Sequence, residues 1–414
     1  MIQSKKAARL FAATLSITGF ESVAKADSLF DLTASSSTTT VKSGSSSLIG
    51  LVDNLSNNNN QFTPLQNQTF NSSLNYAGIK NAILIDQSFD ASGHRILTVQ
   101  VPSTGTDQTF NSANGSLSTQ IKNYLKKDGL ADLSQFQSVV DTQSAAGVID
   151  GNPLAATALL ADTGYNEFAL HTSPFDLNGA RFASDGGQFI TRYWTDGGVL
   201  DAGGISGQYV NLTVANEIWF NDRIGLTFTT PLRYQTLHSA DVFMGGEVVG
   251  LPIYIIPASK GNGFSWQVTP AGHAALVGSQ DLVNGGLVYG AQIDSSFSLA
   301  TTSGFTFTLA DEAGWFHGAS LDIGGYDFNT PVDQYIFKNG LQVTKSFGEL
   351  FIDTSGTWTN FLHNTYVNGY FTPQIGVGFK FGRHNENGLR IGYEGNFGDH
   401  YSTNGGNITL YFSR

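Results

Sequence analysis

The chain has no cysteine among its 414 residues, which excludes disulfides, thiol catalysis and thiolate metal sites. It is also poor in charge. Asp, Glu, Lys and Arg make up 13% of it, where an average soluble chain carries about 25%. The basic residues are scattered and the net charge is −12, so there is no footprint for phosphate and a nucleic-acid partner is excluded. Beyond the N-terminus no run of about 18 apolar residues occurs, so any membrane is crossed by strands rather than helices. The eight histidines show no HExxH or other close ligand spacing, and no G-x-S-x-G elbow is present. No metal, cofactor or catalytic residue is indicated, and the chain reads as a non-enzyme.

What the sequence does have is bulk without charge, in 48 Gly, 30 Phe and 15 Tyr. Its first residues carry Lys5, Lys6 and Arg9, then an apolar stretch from Leu10 to Phe20, then Ala24-Lys25-Ala26. That order predicts a secretory signal peptide over 1–26, cleaved after Ala26. Residues 27–73 are rich in Ser, Thr, Asn and Gln and read as a spacer too polar to offset its ordering entropy. Residues 74–170 read as a small mixed α/β region. Leu117, Ile121, Tyr124 and Leu125 share a helical face there, with Gly129 as a stop. A short helix of small residues follows over 153–163, capped by Asn152 and closed by Gly164.

From Gly187 the period changes to two. In "YFTPQIGVGFKFG", Phe371, Ile375, Val377, Phe379 and Phe381 alternate with Thr372, Gln374, Gly376, Gly378 and Lys380. About twelve such segments lie between 187 and 413, the first over 187–195, the fourth over 244–257 and the last over 405–413. Most are long enough to span a bilayer, whereas sandwich strands run about five or six residues. All five tryptophans, Trp194, Trp219, Trp266, Trp315 and Trp358, fall in this region. The fold class is therefore all-β, a transmembrane antiparallel up-and-down barrel of about 12 strands over 171–414. The phase of the alternation turns Arg192, Glu217, Arg233, Asp294, Lys380, Arg390 and Glu394 towards the lumen.

The last two segments, "GLRIGYEGNFGD" and "NITLYF", with "HYSTNGG" between them, resemble the C-terminal end of autotransporter translocator domains. The resemblance implies a twelve-stranded outer-membrane barrel of a Gram-negative bacterium, preceded by a helix and an exported segment. It also implies closure of the last strand on the first, and recognition by the barrel-assembly machinery through an aromatic near the C-terminus. Phe412 would be that aromatic, although Ser413 and Arg414 follow it. On this reading the barrel sits in outer-membrane lipid and anchors or exports its own short N-terminal segment. A passive porin-like channel is the alternative, with an outer-membrane hydrolase using a Ser–His pair on the wall as a third.

Overall fold

The computed structural model describes residues 28–57, 60–126, 129–170, 188–257, 263–279, 281–323, 326–328, 332–382 and 387–413. The expected signal peptide lies outside the described residues. The expected spacer over 27–73 is corrected: from Ser28 onward this stretch is mostly folded. It contributes β1 (Phe30–Ser36), β2 (Thr40–Ser45), α1 (Leu48–Ser56) and β3 (Phe70–Tyr76). Its apolar residues are few but correctly spaced. Phe30, Leu32 and Ala34 alternate inward along β1, while Leu48, Leu51 and Leu55 line one side of α1. Along β1 Asp31 and Thr33 alternate outward, so low mean hydropathy conceals a small core.

Strands β4 (Ile79–Phe89), β5 (Arg95–Val101) and β6 (Thr106–Asn111) complete an antiparallel sheet of order β2-β1-β3-β4-β5-β6. Helices α2 (Leu117–Lys126), α3 (Gly129–Gln143) and α4 (Pro153–Phe168) follow. Gly129 opens α3 rather than ending a helix. At α4, Asn152 Oδ1 accepts from the Ala155 amide at 3.2 Å and Pro153 takes the first turn, where its missing N–H costs nothing. The helix does not stop at Gly164 but runs on to Phe168.

The remainder is a barrel wall of β7 (Gln188–Ala202), β8 (Ile205–Trp219), β9 (Gly225–Leu237), β10 (Ala240–Gly250) with its continuation β11 (Ile253–Ile256), β12 (Gly263–Ser279), β13 (Asn284–Ala300) and β14 (Phe305–Ala319). A small hairpin, β15 (Leu321–Ile323) and β16 (Tyr326–Phe328), precedes β17 (Asp333–Phe347), β18 (Leu350–Phe361), β19 (Gly369–Phe381), β20 (Asn387–Gly398) and β21 (Tyr401–Ser413). With β10 and β11 taken as one, twelve antiparallel strands pair in chain order. The last pairs with the first, from Tyr401 opposite Ala202 to Ser413 opposite Ile190, and the barrel is closed.

Three wall strands differ from the expected spans, each for a local reason. β7 continues past 195 to Ala202, because its turn is Gly203-Gly204, with φ of 62° and 90°. Two left-handed residues in a row match the twist of a two-residue hairpin. The fourth strand begins at Ala240 and is split at Leu251-Pro252, since proline has no N–H to offer the ladder. β21 starts at Tyr401, so "HYSTNGG" is largely strand; the turn is Asp399-His400, with His400 at φ 59°.

Antiparallel order sorts the turns onto two rims. Turns 203–204, 238–239 and 399–400 lie on one, which we call the upper rim. Turns 220–224, 301–304 and 348–349 lie on the other with Gln188 and Ser413, the two ends of the wall. Along β19, Phe371, Ile375, Val377 and Phe379 are exposed, while Thr372, Gln374 and Lys380 are buried. The same inversion recurs around the barrel: the greasy row faces out and the polar row faces in. A soluble protein would reverse it, so hydrocarbon is the solvent this wall fits.

The N-terminal sheet and helices sit on the upper rim. The Leu48 amide donates to Asp281 O at 3.0 Å, and the Tyr366 amide to Asp141 O at 2.7 Å. Leu282, Val283, Leu237 and Val367 of the rim join the same buried cluster as Leu29, Leu74 and Ile149.

Candidate functional site: a helix lodged in a polar lumen

A helix on a protein surface buries one stripe. α4 buries 13 of its 16 residues, because the wall encloses it. Its side chains are slim, and the wall recedes where they are not. A Cβ on Gly286 would stand 2.6 Å from Pro153 Cγ, and Cβ atoms on Gly250 and Gly340 would collide with Phe168 and the Tyr165 hydroxyl. Gly164 makes the converse concession, lying against the side chain of Gln292. Helix and wall are cut to each other.

Polar contacts then hold α4 along its length. Lys338 of β17 pairs with Asp162, and Tyr370 Oη donates to the same carboxylate at 3.1 Å. Arg192 Nη1 lies 3.0 Å from Glu167 Oε1, while its Nη2 donates to Glu217 Oε2 at 2.5 Å. Tyr165 Oη donates to Ala310 O at 3.1 Å, and Gln267 Nε2 to Phe168 O at 3.4 Å. The cation that grips the end of the helix is thus shared with the wall.

The remaining sequence-derived residues lie as follows. Arg390 makes a fork with Asp353 (Nε to Oδ2 2.8 Å, Nη2 to Oδ1 2.6 Å) and donates from Nη1 to Asn407 Oδ1 at 2.7 Å. Asp294 Oδ2 accepts from Gln292 Nε2 at 2.7 Å, and the same amide reaches Glu312 Oε2 at 3.3 Å. Arg233 stacks over the Tyr209 ring at 4.5 Å and donates from Nε to Gln235 Oε1 at 2.8 Å. Glu394 lines a polar cleft beside α4, together with Asp162, Asp196 and Arg233. Lys380 is buried with its Nζ 6.0 Å from the Phe351 ring. Phe412 is on the outer face of β21, its ring edge against Tyr193 at 6.4 Å.

Asp162, Glu167 and Lys338 escaped the sequence reading. Their signal was present: within "LLADTGYNEF" two acids interrupt a slim apolar helix. A helix ended at 163 places Glu167 outside it. Two tryptophans also belong inside: Trp219 stacks on Tyr254 at 5.4 Å, and Trp194 lines the cleft. Trp358, by contrast, is 50% exposed on the outer wall.

His94 and His317 face Asp90 and Asp333, His273 stacks on Phe316, and His400 on Tyr366. None of these four is hydrogen-bonded to a serine. His171 and His384 lie outside the described residues.

No family model and no curated protein matches the chain. Solved structures do match its barrel. The translocator domain of the autotransporter NalP from Neisseria meningitidis aligns with a TM-score of 0.43 at 13% identity, over 62% of this chain and 97% of its own. The transport unit of the autotransporter AIDA-I from Escherichia coli gives 0.41 at 10%, over 63% and 98%. An outer membrane channel from Pseudomonas putida F1 gives 0.40 at 12%, over 59% and 99%. The barrel is similar to those of autotransporter translocators and also to that of a channel. Identities of this size speak to the fold alone.

Proposed function

We propose that the protein is a translocator-like barrel of a Gram-negative outer membrane that anchors its own N-terminal domain at the cell surface. One observation carries this reading: α4 passes through the lumen, joining a domain on the upper rim to a wall whose ends both lie on the lower rim. The lower rim then faces the periplasm and the domain faces outward. Arg192 and Lys338 serve as anchors for the helix, not as selectivity groups for a solute. Phe412 supplies the aromatic that the barrel-assembly machinery reads. A passive channel needs an open lumen, and this one is occupied by a helix fitted to its wall.

Topology is the decisive test. A protease site inserted at the exposed turn 91–93 is expected to be cut in intact cells. Cutting only after the outer membrane is permeabilised would reverse the orientation and overturn the reading. In planar bilayers the intact protein is expected to conduct poorly, and a steady large conductance would favour the channel instead.

A further inference from the structure

The outer row of β14 reads Phe305, Phe307, Leu309, Asp311, Ala313 and Trp315; that of β17 reads Tyr335, Phe337, Asn339, Leu341 and Val343. Each row is greasy except at its centre. Asp311 and Asn339 are direct register partners, each the seventh residue of a strand of 15. Asn339 Nδ2 donates to Asp311 Oδ1 at 2.6 Å. Among the described residues no other hydrogen bond reaches either side chain. In the outer row of β17 the nearest charged residues, Asp333 and Lys345, are about 20 Å of strand away on either side.

Given the reading above that lipid bathes this wall, a carboxyl and a carboxamide stand near mid-bilayer, where polar groups are costly unless paired. They are only half paired: Asp311 retains an acceptor oxygen, and Asn339 a second N–H and its carbonyl. Two of their neighbours are small, Ala313 along β14 and Ser295 directly across on β13, so another wall can approach on that side, while Trp358, across from Asn339 on β18, bounds the patch on the other.

We propose that this patch docks a second copy of the chain within the membrane. The two-fold axis runs parallel to the barrel, and Asn339 of each copy donates to Asp311 of the other. The occupant follows from the chemistry. The pair holds a donor and an acceptor at similar depth, and an axis along the barrel preserves depth, so the patch is complementary to itself. Glu247, another outward carboxyl, differs: Thr230 donates its single proton to Oε2 at 2.5 Å, leaving no donor for a copy to reciprocate.

The absence of cysteine makes the test clean. Single substitutions A313C, in the patch, and V377C, on the outer face of β19, are oxidised in isolated outer membranes. A313C is expected to yield a disulfide dimer at least tenfold more efficiently than V377C. In the A313C background N339D, which sets four carboxyls together, is expected to abolish the dimer. The exchange D311N/N339D restores it, and E247Q leaves it unchanged. A membrane-embedded chain that yields no dimer, or equal yields at both cysteines, overturns the proposal, as does insensitivity to N339D. A cross-link to a different protein replaces the second copy by that partner. Recovery of the chain in the soluble fraction would instead sink the membrane reading on which this rests.

Discussion

Arg192 shows what a single residue does here. Its guanidinium answers Glu167 on the helix and Glu217 on the wall, all three nearly inaccessible. Removing the cation leaves two buried carboxylates opposed, so Arg192→Ala is expected to cost about 3–5 kcal/mol. The measurement is the temperature at which the native gel band converts to the unfolded one, which should fall. Asp150 and Asp141 act at the rim rather than in the wall. Asp150 accepts from Tyr76 Oη at 3.0 Å and, through its carbonyl, from Asn284 Nδ2 at 3.3 Å, while Asn152 donates to Asp141. Burial pushes the Asp150 carboxyl up to about 7, and burial with the neighbouring Asp150 raises Asp141 well above the carboxylate range. A pKa raised by folding means that the seated form binds its proton more tightly. The contribution to seating is therefore complete below the ordinary value of 3.8 and is lost as pH rises through about 7. Protease cutting of the N-terminal domain should accelerate between pH 5 and 8, and Asp150→Asn should flatten that dependence.

At the scale of elements, the helix and the notches that receive it make a mechanical prediction. Gly340→Leu fills the space of the Tyr165 hydroxyl and is expected to displace α4 and raise single-channel conductance severalfold. Gly272→Leu, on the outer face with only Gly290 O within 4 Å, should leave conductance unchanged. The wall strands were legible in sequence because alternation survives any detail of pairing: "YFTPQIGVGFKFG" needs only a period of two. The N-terminal strands were not. Phe30, Leu32 and Ala34 are three apolar residues in a tract of Ser and Thr, and composition averaged over 27–73 hides them. Helix α4 was legible at its start, where Asn152 and Pro153 act locally. Its end was not, because Gly164 is required by the approach of Gln292, a residue 128 positions away (292 − 164).

The whole molecule is a ring closed by β21 against β7, and a ring predicts resistance as a unit. An unheated sample is expected to migrate faster in a denaturing gel than a boiled one; identical mobility would speak against closure. The class of fold and its strand number follow from features spread over the wall. The pairing inside it does not. Arg390 meets Asp353 through a fold-specific register, and nothing in the spacing of 353 and 390 announces it. Glu394, on the same strand and in the same inward row as Arg390, lines a polar cleft that it shares with Arg233 and Asp196.

The tether between rim and wall also constrains the order of events. A passage filled by one helix is too narrow for a six-stranded sheet, so, on the proposed topology, the upper domain cannot have travelled through it ready-made. Either the chain would cross as an unfolded thread and condense on the far side, or the staves would close around a strand already in place. The finished protein is in that sense a locked assembly, whose head can no longer be withdrawn without being unravelled.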